Sequence, residues 1–188
     1  ICVQTDKRGF APDYGPLMES LTHIAEALQS RPSGNIPLII FESTLAPSSM
    51  TTIVRDHFAL HGLVEGRDVL LGNSPNRVMP GRLVERVAAS DKLVAGLHAS
   101  TPGLIERIYR RIVTGGTLHP TCSLTAEIVK TLQNAYRDVR LAYSAEMARF
   151  CDDPALDCHA TRDERDHRPA PEGHAPSDPH PRHRGAGP

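Results

Sequence analysis

The sequence contains no tryptophan, and aromatic residues make up only 4% of its 188 positions. Neither sign of charge is in excess, since 21 lysine and arginine residues are balanced by 22 aspartate and glutamate residues. Nucleic-acid binding usually requires a basic surface and often aromatic side chains that stack on bases. We therefore expect no nucleic-acid partner.

Long apolar runs and paired cysteines are absent as well. No stretch approaches the roughly 18 apolar residues of a membrane span, and the first residues lack the pattern of a secretory leader. The four cysteines, Cys2, Cys122, Cys151 and Cys158, form no C-x-x-C pair, which favours neither a disulfide framework nor a zinc site. We expect a cytoplasmic protein without a membrane partner, whose cysteines are reduced and mostly structural.

The last part of the chain differs from the rest in composition. Residues 154–188 hold 7 of the 16 prolines and 5 of the 10 histidines, with Leu156 as the only large apolar side chain. Such a segment buries too little apolar surface to offset its ordering entropy. We expect residues 151–188 to form a disordered tail, and its histidines lack the spacing of a metal site, so no bound metal is expected.

Short apolar runs alternate with helical patterns over residues 1–123. The predicted strands are residues 1–5, 36–41, 69–72 and 92–95, and the predicted helices are 16–29, 49–61 and one opening at Thr101 and Pro102. This order predicts an α/β fold with a parallel sheet and right-handed crossovers, in which ligands bind beyond the carboxyl ends of the strands.

Two segments follow predicted strands where such ligands bind. One is Glu42-Ser43-Thr44, and the other is the loop 73–81, which contains two prolines and ends in glycine. The hydroxyl-rich residues 48–52 open the next helix, and their backbone N–H groups could receive a phosphate. Simple N-capping by a serine explains the same residues equally well.

A long amphipathic helix is predicted from Leu124 to Phe150. Lys130 and Asn134, four residues apart, lie on one face of it. The apolar stripe, on a different face, consists of Leu124, Ile128, Leu132, Ala135, Val139 and Ala142. The polar pair could grip a substrate oxygen, or it could be a solvated part of the surface.

Four motifs, in this order, resemble the nucleotide-sugar 6-dehydrogenases, which include the UDP-glucose and UDP-N-acetylhexosamine dehydrogenases. They are Ile1-Cys-Val-Gln-Thr5 with Pro12-Asp13, Glu42-Ser-Thr-Leu-Ala-Pro47, Ser74-Pro-Asn-Arg-Val-Met-Pro-Gly81, and the Lys130-x-x-x-Asn134 pair. The resemblance implies an incomplete Rossmann-like parallel sheet over residues 1–123, forming the C-terminal part of an NAD-binding domain. It also implies that residues 124–150 are a central inter-domain helix through which the parent enzyme forms a homodimer.

The resemblance further implies oxidation of the C6 alcohol of a UDP-sugar to a carboxylate, with NAD as cofactor. Thr44, Lys130 and Asn134 would be catalytic, and Thr5 and Thr44 would lie near the NAD. The substrate-binding residues would be Asn76, Arg77, Val78, Met79, Pro80, Lys130 and Asn134. Lys130 would stabilise oxyanion character on C6, and Asn134 would hold the same oxygen.

The sequence also departs from the family pattern. Asn76 stands where the family usually has glutamate, and Ser48 replaces a usual glycine. Neither Gly-x-Gly-x-x-Gly nor Gly-Gly-His-Cys occurs, so we expect this chain alone to be inactive and, with an exposed sheet edge, to self-associate. Two alternatives remain open: a β-hydroxyacid dehydrogenase-like fragment, and a non-enzymatic remnant that acts as a dimerisation module.

Overall fold

The computed structural model describes residues 1–9, 11–31, 34–76 and 82–150. The chain divides into two compact units, Ile1–Asp138 and Val139–Pro188. The first unit is an α/β structure and contains every strand of the described residues. In the second unit the described residues are the end of the last helix.

The elements alternate much as the sequence predicts. The strands are β1 (Asp6–Arg8), β2 (Ala11–Asp13), β3 (Leu38–Phe41), β4 (Leu70–Asn73), β5 (Lys92–Gly96) and β6 (Leu118–Cys122). The helices are α1 (Gly15–Gln29), α2 (Arg55–Leu60), α3 (Leu83–Ala89), α4 (Thr101–Tyr109) and α5 (Ser123–Phe150), with a π-helical turn at Met50–Val54 directly before α2.

A four-stranded sheet in the order β3-β4-β5-β6 forms the centre of the first unit. The pairs β3–β4 and β5–β6 are parallel, whereas β4 and β5 are antiparallel, with Gly72 opposite Gly96. The predicted α/β fold class is confirmed, and the prediction of a parallel sheet holds for two of the three strand pairs, since β4–β5 is antiparallel. Hydrophobic runs specify burial but not strand direction, and β5 reverses so that its first residue, Lys92, lies at the same edge as the end of β3.

Strand β6 was not predicted. Its side chains are mostly exposed and it contains Pro120, which removes one backbone donor. As the last strand in the sheet order, β6 is an edge strand, where proline is tolerated. Neither burial nor alternation therefore marked this strand in the sequence.

The first residues run beside β3 without forming a regular strand. The Ile1 amine donates to the Ile40 carbonyl, and the Glu42 amide donates to the Ile1 carbonyl at 2.8 Å. The edge of β3 is thus partly covered, not bare as the sequence suggested. The β1–β2 hairpin that follows was also missed, because each of its strands is only three residues long.

Two predicted helices contribute buried side chains to the core. Helix α1 buries Leu17, Leu21 and Ala25, as its periodicity predicts. The predicted helix 49–61 is confirmed as a π-helical turn followed by α2, and its buried side chains are Met50, Val54 and Phe58. Because these three residues are four positions apart, they form one stripe that faces the core through both the π-helical turn and α2.

Helix α4 approaches the sheet closely over two glycines. A Cβ atom at Gly72 would overlap Ile105, and one at Gly96 would overlap Thr101. The buried cluster on this side of the sheet consists of Val94, Ile105, Tyr109 and Val113. These glycines are therefore needed for the close contact between α4 and the strands.

Helix α5 confirms the prediction of a long helix, and its buried residues do not belong to the apolar stripe. Its buried residues are Ser123, Ala126 and Glu127. The predicted apolar stripe is exposed, and Leu132 and Val139 retain 62% and 67% of their accessible surface. Apolar periodicity shows that a helix has an apolar face but not what covers that face.

No helix among the described residues is both long and apolar enough to cross a membrane.

Candidate active site

Lys130 lies on the half-buried face of α5, not on a solvated one. Its Nζ atom donates to the backbone carbonyl of Asn76 at 2.6 Å, and the Asn76 amide donates to the Glu42 carbonyl at 3.1 Å. These bonds connect α5 to the segments that follow β4 and β3. Asn134 lies one turn further along the same face and is also half-buried.

Thr5 and Thr44 meet at the end of β3. The Thr5 hydroxyl donates to the Thr44 carbonyl at 3.1 Å. Ser43 stabilises the contact, because its Oγ accepts from the Val3 amide and donates to the Val3 carbonyl, both at 2.8 Å. The structure therefore brings together two residues that are 39 positions apart in the sequence.

A buried carboxylate from α5 occupies the start of the helix after Thr44. Glu127 accepts the backbone N–H groups of Ser48 and Met50, each at 2.8 Å. The amides of Thr51 and Thr52 donate to the Ser48 carbonyl. The expectation of a phosphate site at residues 48–52 is therefore wrong, since Glu127 already accepts the N–H groups that a phosphate would need.

Burial controls the protonation of Glu127. Desolvation raises the pKa of this carboxyl group, and the N–H groups of Met50 and Ser48 oppose that shift by favouring the ionised form. Sequence reasoning missed this residue. The available signal was an acidic residue three positions before Lys130, which places both on one helical face.

A second unpredicted cluster joins the end of β3 to the start of β5, on either side of β4. Lys92 Nζ lies 3.2 Å from Glu42 Oε1, donates to the Ser74 carbonyl at 3.1 Å, and lies 4.6 Å from the centroid of the Tyr109 ring. The Tyr109 hydroxyl donates to Glu42 Oε1. Burial, and then the bond to Glu42, raises the pKa of Tyr109 well above its usual value. The cluster fixes the side chain of Glu42, which lies two residues before Thr44.

The start of α5 is anchored to the end of β4 by two buried side chains. Asn73 Nδ2 donates to the Ser123 carbonyl at 3.3 Å, and the Ser123 hydroxyl donates to Asn73 Oδ1. Buried polar groups that satisfy each other in this way hold one geometry. The contact between Asn73 and Ser123 lies two helical turns before Lys130. It therefore fixes the backbone position from which the Lys130 side chain extends.

Comparison with known proteins shows which proteins are similar to this chain. No protein-family model matches the chain. It is 34% identical over 148 residues to the UDP-N-acetyl-D-mannosamine dehydrogenase of Pyrococcus horikoshii, covering 79% of this chain and 34% of the relative. It is 30% identical over 152 residues to the UDP-N-acetyl-D-glucosamine 6-dehydrogenase of Pseudomonas aeruginosa, with coverage of 79% and 34%.

A solved structure of a similar protein also aligns with this chain. The structure of the UDP-D-ManNAc dehydrogenase from Pyrococcus horikoshii aligns with a TM-score of 0.77 and 30% identity, over 93% of this chain and 40% of that chain. The chain belongs to the nucleotide-sugar 6-dehydrogenase family. It spans about a third of the length of the curated relatives that it matches.

Within this chain, one set of predicted site residues lies on hydrogen-bonded segments. Thr5, Thr44, Asn76 and Lys130 lie on segments joined by the hydrogen bonds described above. The predicted substrate-binding residues Arg77, Val78, Met79 and Pro80 lie outside the described residues, as does the predicted tail, 151–188.

Cys122 lies at the junction of β6 and α5 in this family member. Its Sγ atom lies 3.0 Å from Thr125 Oγ1, and the side chain and then the backbone of Thr125 lower the pKa of the thiol. Cys2 and Cys122 are both exposed, so the expectation that the cysteines are mostly structural is wrong for these two. Cys151 and Cys158 lie outside the described residues.

Proposed function

We propose that this chain carries part of the active site of an NAD-dependent UDP-sugar 6-dehydrogenase. The observation that supports this most directly is the contact of Lys130 with the carbonyl of Asn76, since it places a cation beside the loop after β4. The names of the relatives, which include UDP-N-acetyl-D-mannosamine and UDP-N-acetyl-D-glucosamine dehydrogenases, support a UDP-N-acetylhexosamine as substrate.

Lys130 has the chemistry needed at an alcohol carbon that is being oxidised. An ammonium group beside the C6 oxygen stabilises the negative charge that forms as the hydroxyl loses its proton to solvent, before the hydride leaves C6. The half-buried position of Lys130 strengthens this effect because less water screens the charge. Asn134, one turn away, is proposed to hold the same oxygen through its carboxamide.

Thr5 and Thr44 are proposed to face the cofactor. Their contact at 3.1 Å sets two threonines at the carboxyl end of β3, where ligands bind in α/β sheets. Bound NAD would supply the hydride acceptor. Thr44 would then hydrogen-bond the reacting hydroxyl and orient it toward that acceptor.

The loop after β4 is proposed to align the sugar. Asn76 is half-buried, and its amide is fixed to the Glu42 carbonyl. Residues 77–80 would continue this wall of the substrate site. An asparagine at position 76 can donate and accept hydrogen bonds but cannot act as a general base, so we assign Asn76 to binding only.

Ligand binding by the chain itself tests the proposal. We expect UDP-N-acetyl-D-mannosamine, added to the chain with NAD⁺, to give a saturable signal by calorimetry. Lys130→Ala should weaken this binding about tenfold, since it removes the cation at the substrate oxygen. Arg149→Ala serves as the control, because Arg149 pairs with Glu146 near the end of the same helix. No binding by the original chain, or equal binding by Lys130→Ala, would contradict the proposal.

A dimerisation module is the second candidate function, and the exposed apolar side of α5 favours it. Leu132, Tyr136 and Val139 retain between 62% and 67% of their accessible surface. Contiguous apolar exposure of this kind marks interaction surfaces. We propose a homodimer through α5, which sedimentation equilibrium would detect. Leu132→Gln should shift the chain toward the monomer, and a monomer at all concentrations before substitution would refute the dimer.

A further inference from the structure

Glu127 is an acidic residue in an unusual position. Only 1% of its surface is exposed, and its two carboxylate oxygens each accept one backbone N–H group. The donors are 79 and 77 positions away in the sequence. A buried carboxylate is unfavourable unless donors surround it, so this one is held where donors from another element reach it.

The backbone that Glu127 binds is irregular. Ser48 has φ of +74°, in the left-handed region that side chains other than glycine rarely adopt. The turn that follows, Met50–Val54, is π-helical instead of α-helical. Irregular backbone of both kinds persists where the surrounding structure over-determines it, and here the N–H groups of Ser48 and Met50 both meet the same carboxylate.

The contact closes a ring of hydrogen-bonded segments around the candidate site. From Glu127 the helix leads one turn to Lys130, whose ammonium group binds the Asn76 carbonyl. The Asn76 amide binds the Glu42 carbonyl, and the chain then runs through Thr44 back to Ser48. Because each segment of the ring is short, the state of one contact affects the position of the others.

We propose that Glu127 is a positioning residue whose carboxylate holds Ser48 in its left-handed conformation and thereby fixes the position of the Thr44 segment relative to Lys130. The proposal rests on the proposed function only for the roles of Lys130 and Thr44. Glu127 touches neither substrate nor cofactor in this scheme. It acts through the backbone of residues 48–50.

The three lysines of the sequence, Lys7, Lys92 and Lys130, make a direct spectroscopic test practical. The full chain is labelled with ¹³C at the lysine ε carbons, and the Lys130 signal is identified by its loss in Lys130→Arg. Glu127→Gln should displace that signal, because a carboxamide offers an N–H₂ group to one of two N–H donors. Amide hydrogen exchange of Ser48 and Met50 should become at least about tenfold faster.

A second substitution separates positioning from general stability. Ser48→Gly adopts positive φ readily, so adding it to Glu127→Gln should return the Lys130 signal toward its original position. Glu146→Gln, an exposed acid on the same helix that pairs with Arg149, is the matched control and should leave the Lys130 signal unchanged. None of these readouts needs a ligand, so a chain that binds no UDP-sugar would refute the proposed function without affecting this test.

Three results would overturn the inference. The first is an unchanged Lys130 signal with unchanged exchange at Ser48 and Met50 in Glu127→Gln. The second is a displaced signal that Ser48→Gly does not restore at all, since the carboxylate would then act by another route. If Glu127→Gln alone gives no folded chain, the comparison moves to the Ser48→Gly background, and failure to fold there also counts against the proposal.

Discussion

Lys92 at the start of β5 forms an ion pair with Glu42 at the end of β3, with 3.2 Å between Nζ and Oε1. The two strands are not neighbours, because β4 lies between them. The pair spans the middle strand and is completed by the hydroxyl of Tyr109 from α4. The cluster therefore joins β5, α4 and the end of β3, next to the segment that contains Thr44.

Removing Lys92 tests how much this cluster stabilises the fold. Lys92→Met leaves the Glu42 carboxylate without its cation, and we expect the free energy of unfolding to fall by about 2 kcal/mol. The cost stays below that of a fully buried pair because the Glu42 side chain is 30% exposed. Urea denaturation measures it. Arg110→Met, which removes a pair with Glu106 whose cation is 69% exposed instead of buried, should cost about 0.5 kcal/mol or less, and equal losses would contradict the prediction.

The titration of Tyr109 provides a pH test. Burial and the bond to Glu42 raise the folded-state pKa of Tyr109 above its ordinary value of 10.0. The stability that Tyr109 contributes is therefore fully present below pH 10.0 and is lost as the pH rises through the folded-state pKa. The absorbance change of tyrosinate that disappears in Tyr109→Phe should come above pH 10.0. A Tyr109 component at or below that pH would show that the hydroxyl is not held as described.

Cys122 should react readily with alkylating reagents. Its lowered pKa increases the thiolate fraction at neutral pH, and the thiolate is the reactive form. Thr125→Val removes the side chain that contributes most to this shift, so we expect alkylation of Cys122 by iodoacetamide to slow severalfold. Mass spectrometry follows the rate, with Cys2 in the same sample as the internal standard. An unchanged ratio of the two rates would refute the role of Thr125.

Two glycines, Gly96 in β5 and Gly103 in α4, should respond in opposite ways to substitution by alanine. Gly96→Ala places a methyl group against Thr101, and we expect a loss of at least about 2 kcal/mol in unfolding free energy. Gly103→Ala, in α4 with open space around it, should leave stability unchanged or raise it by up to about 1 kcal/mol. Thermal and urea unfolding of the two variants should separate them clearly. A mild effect at Gly96 would mean that α4 lies further from the sheet than described.

The periodic elements were predictable because each carries its own local signal. The apolar positions of α1 repeat at helical spacing and are buried as expected, and the apolar run before Glu42 became β3. Segments without such a signal were missed: β6 is exposed and contains Pro120, and the β1–β2 hairpin is only three residues long on each side. Local patterns mark an element only when burial repeats along it.

The residues around the candidate site divide in the same way. Thr5, Thr44, Asn76 and Lys130 stood out through motifs, and the fold joins their segments. Glu127 carried only one weak local signal, its position three residues before Lys130, because a glutamate in a helix is usually a solvated residue. Its importance follows from a contact with Ser48 across 79 positions, which no window of sequence contains.

The sequence by itself determined the alternation of helices and strands, the long final helix and the motifs that place the chain in its family, because these depend on neighbours a few residues apart. Only the tertiary structure decided that β5 runs against β4, that α5 turns Glu127 and Lys130 inward and its apolar stripe outward, and that Lys92 reaches Glu42. Each of these depends on which distant surface covers a given face. Hydrophobic periodicity specifies that a face exists, whereas packing between elements selects its partner.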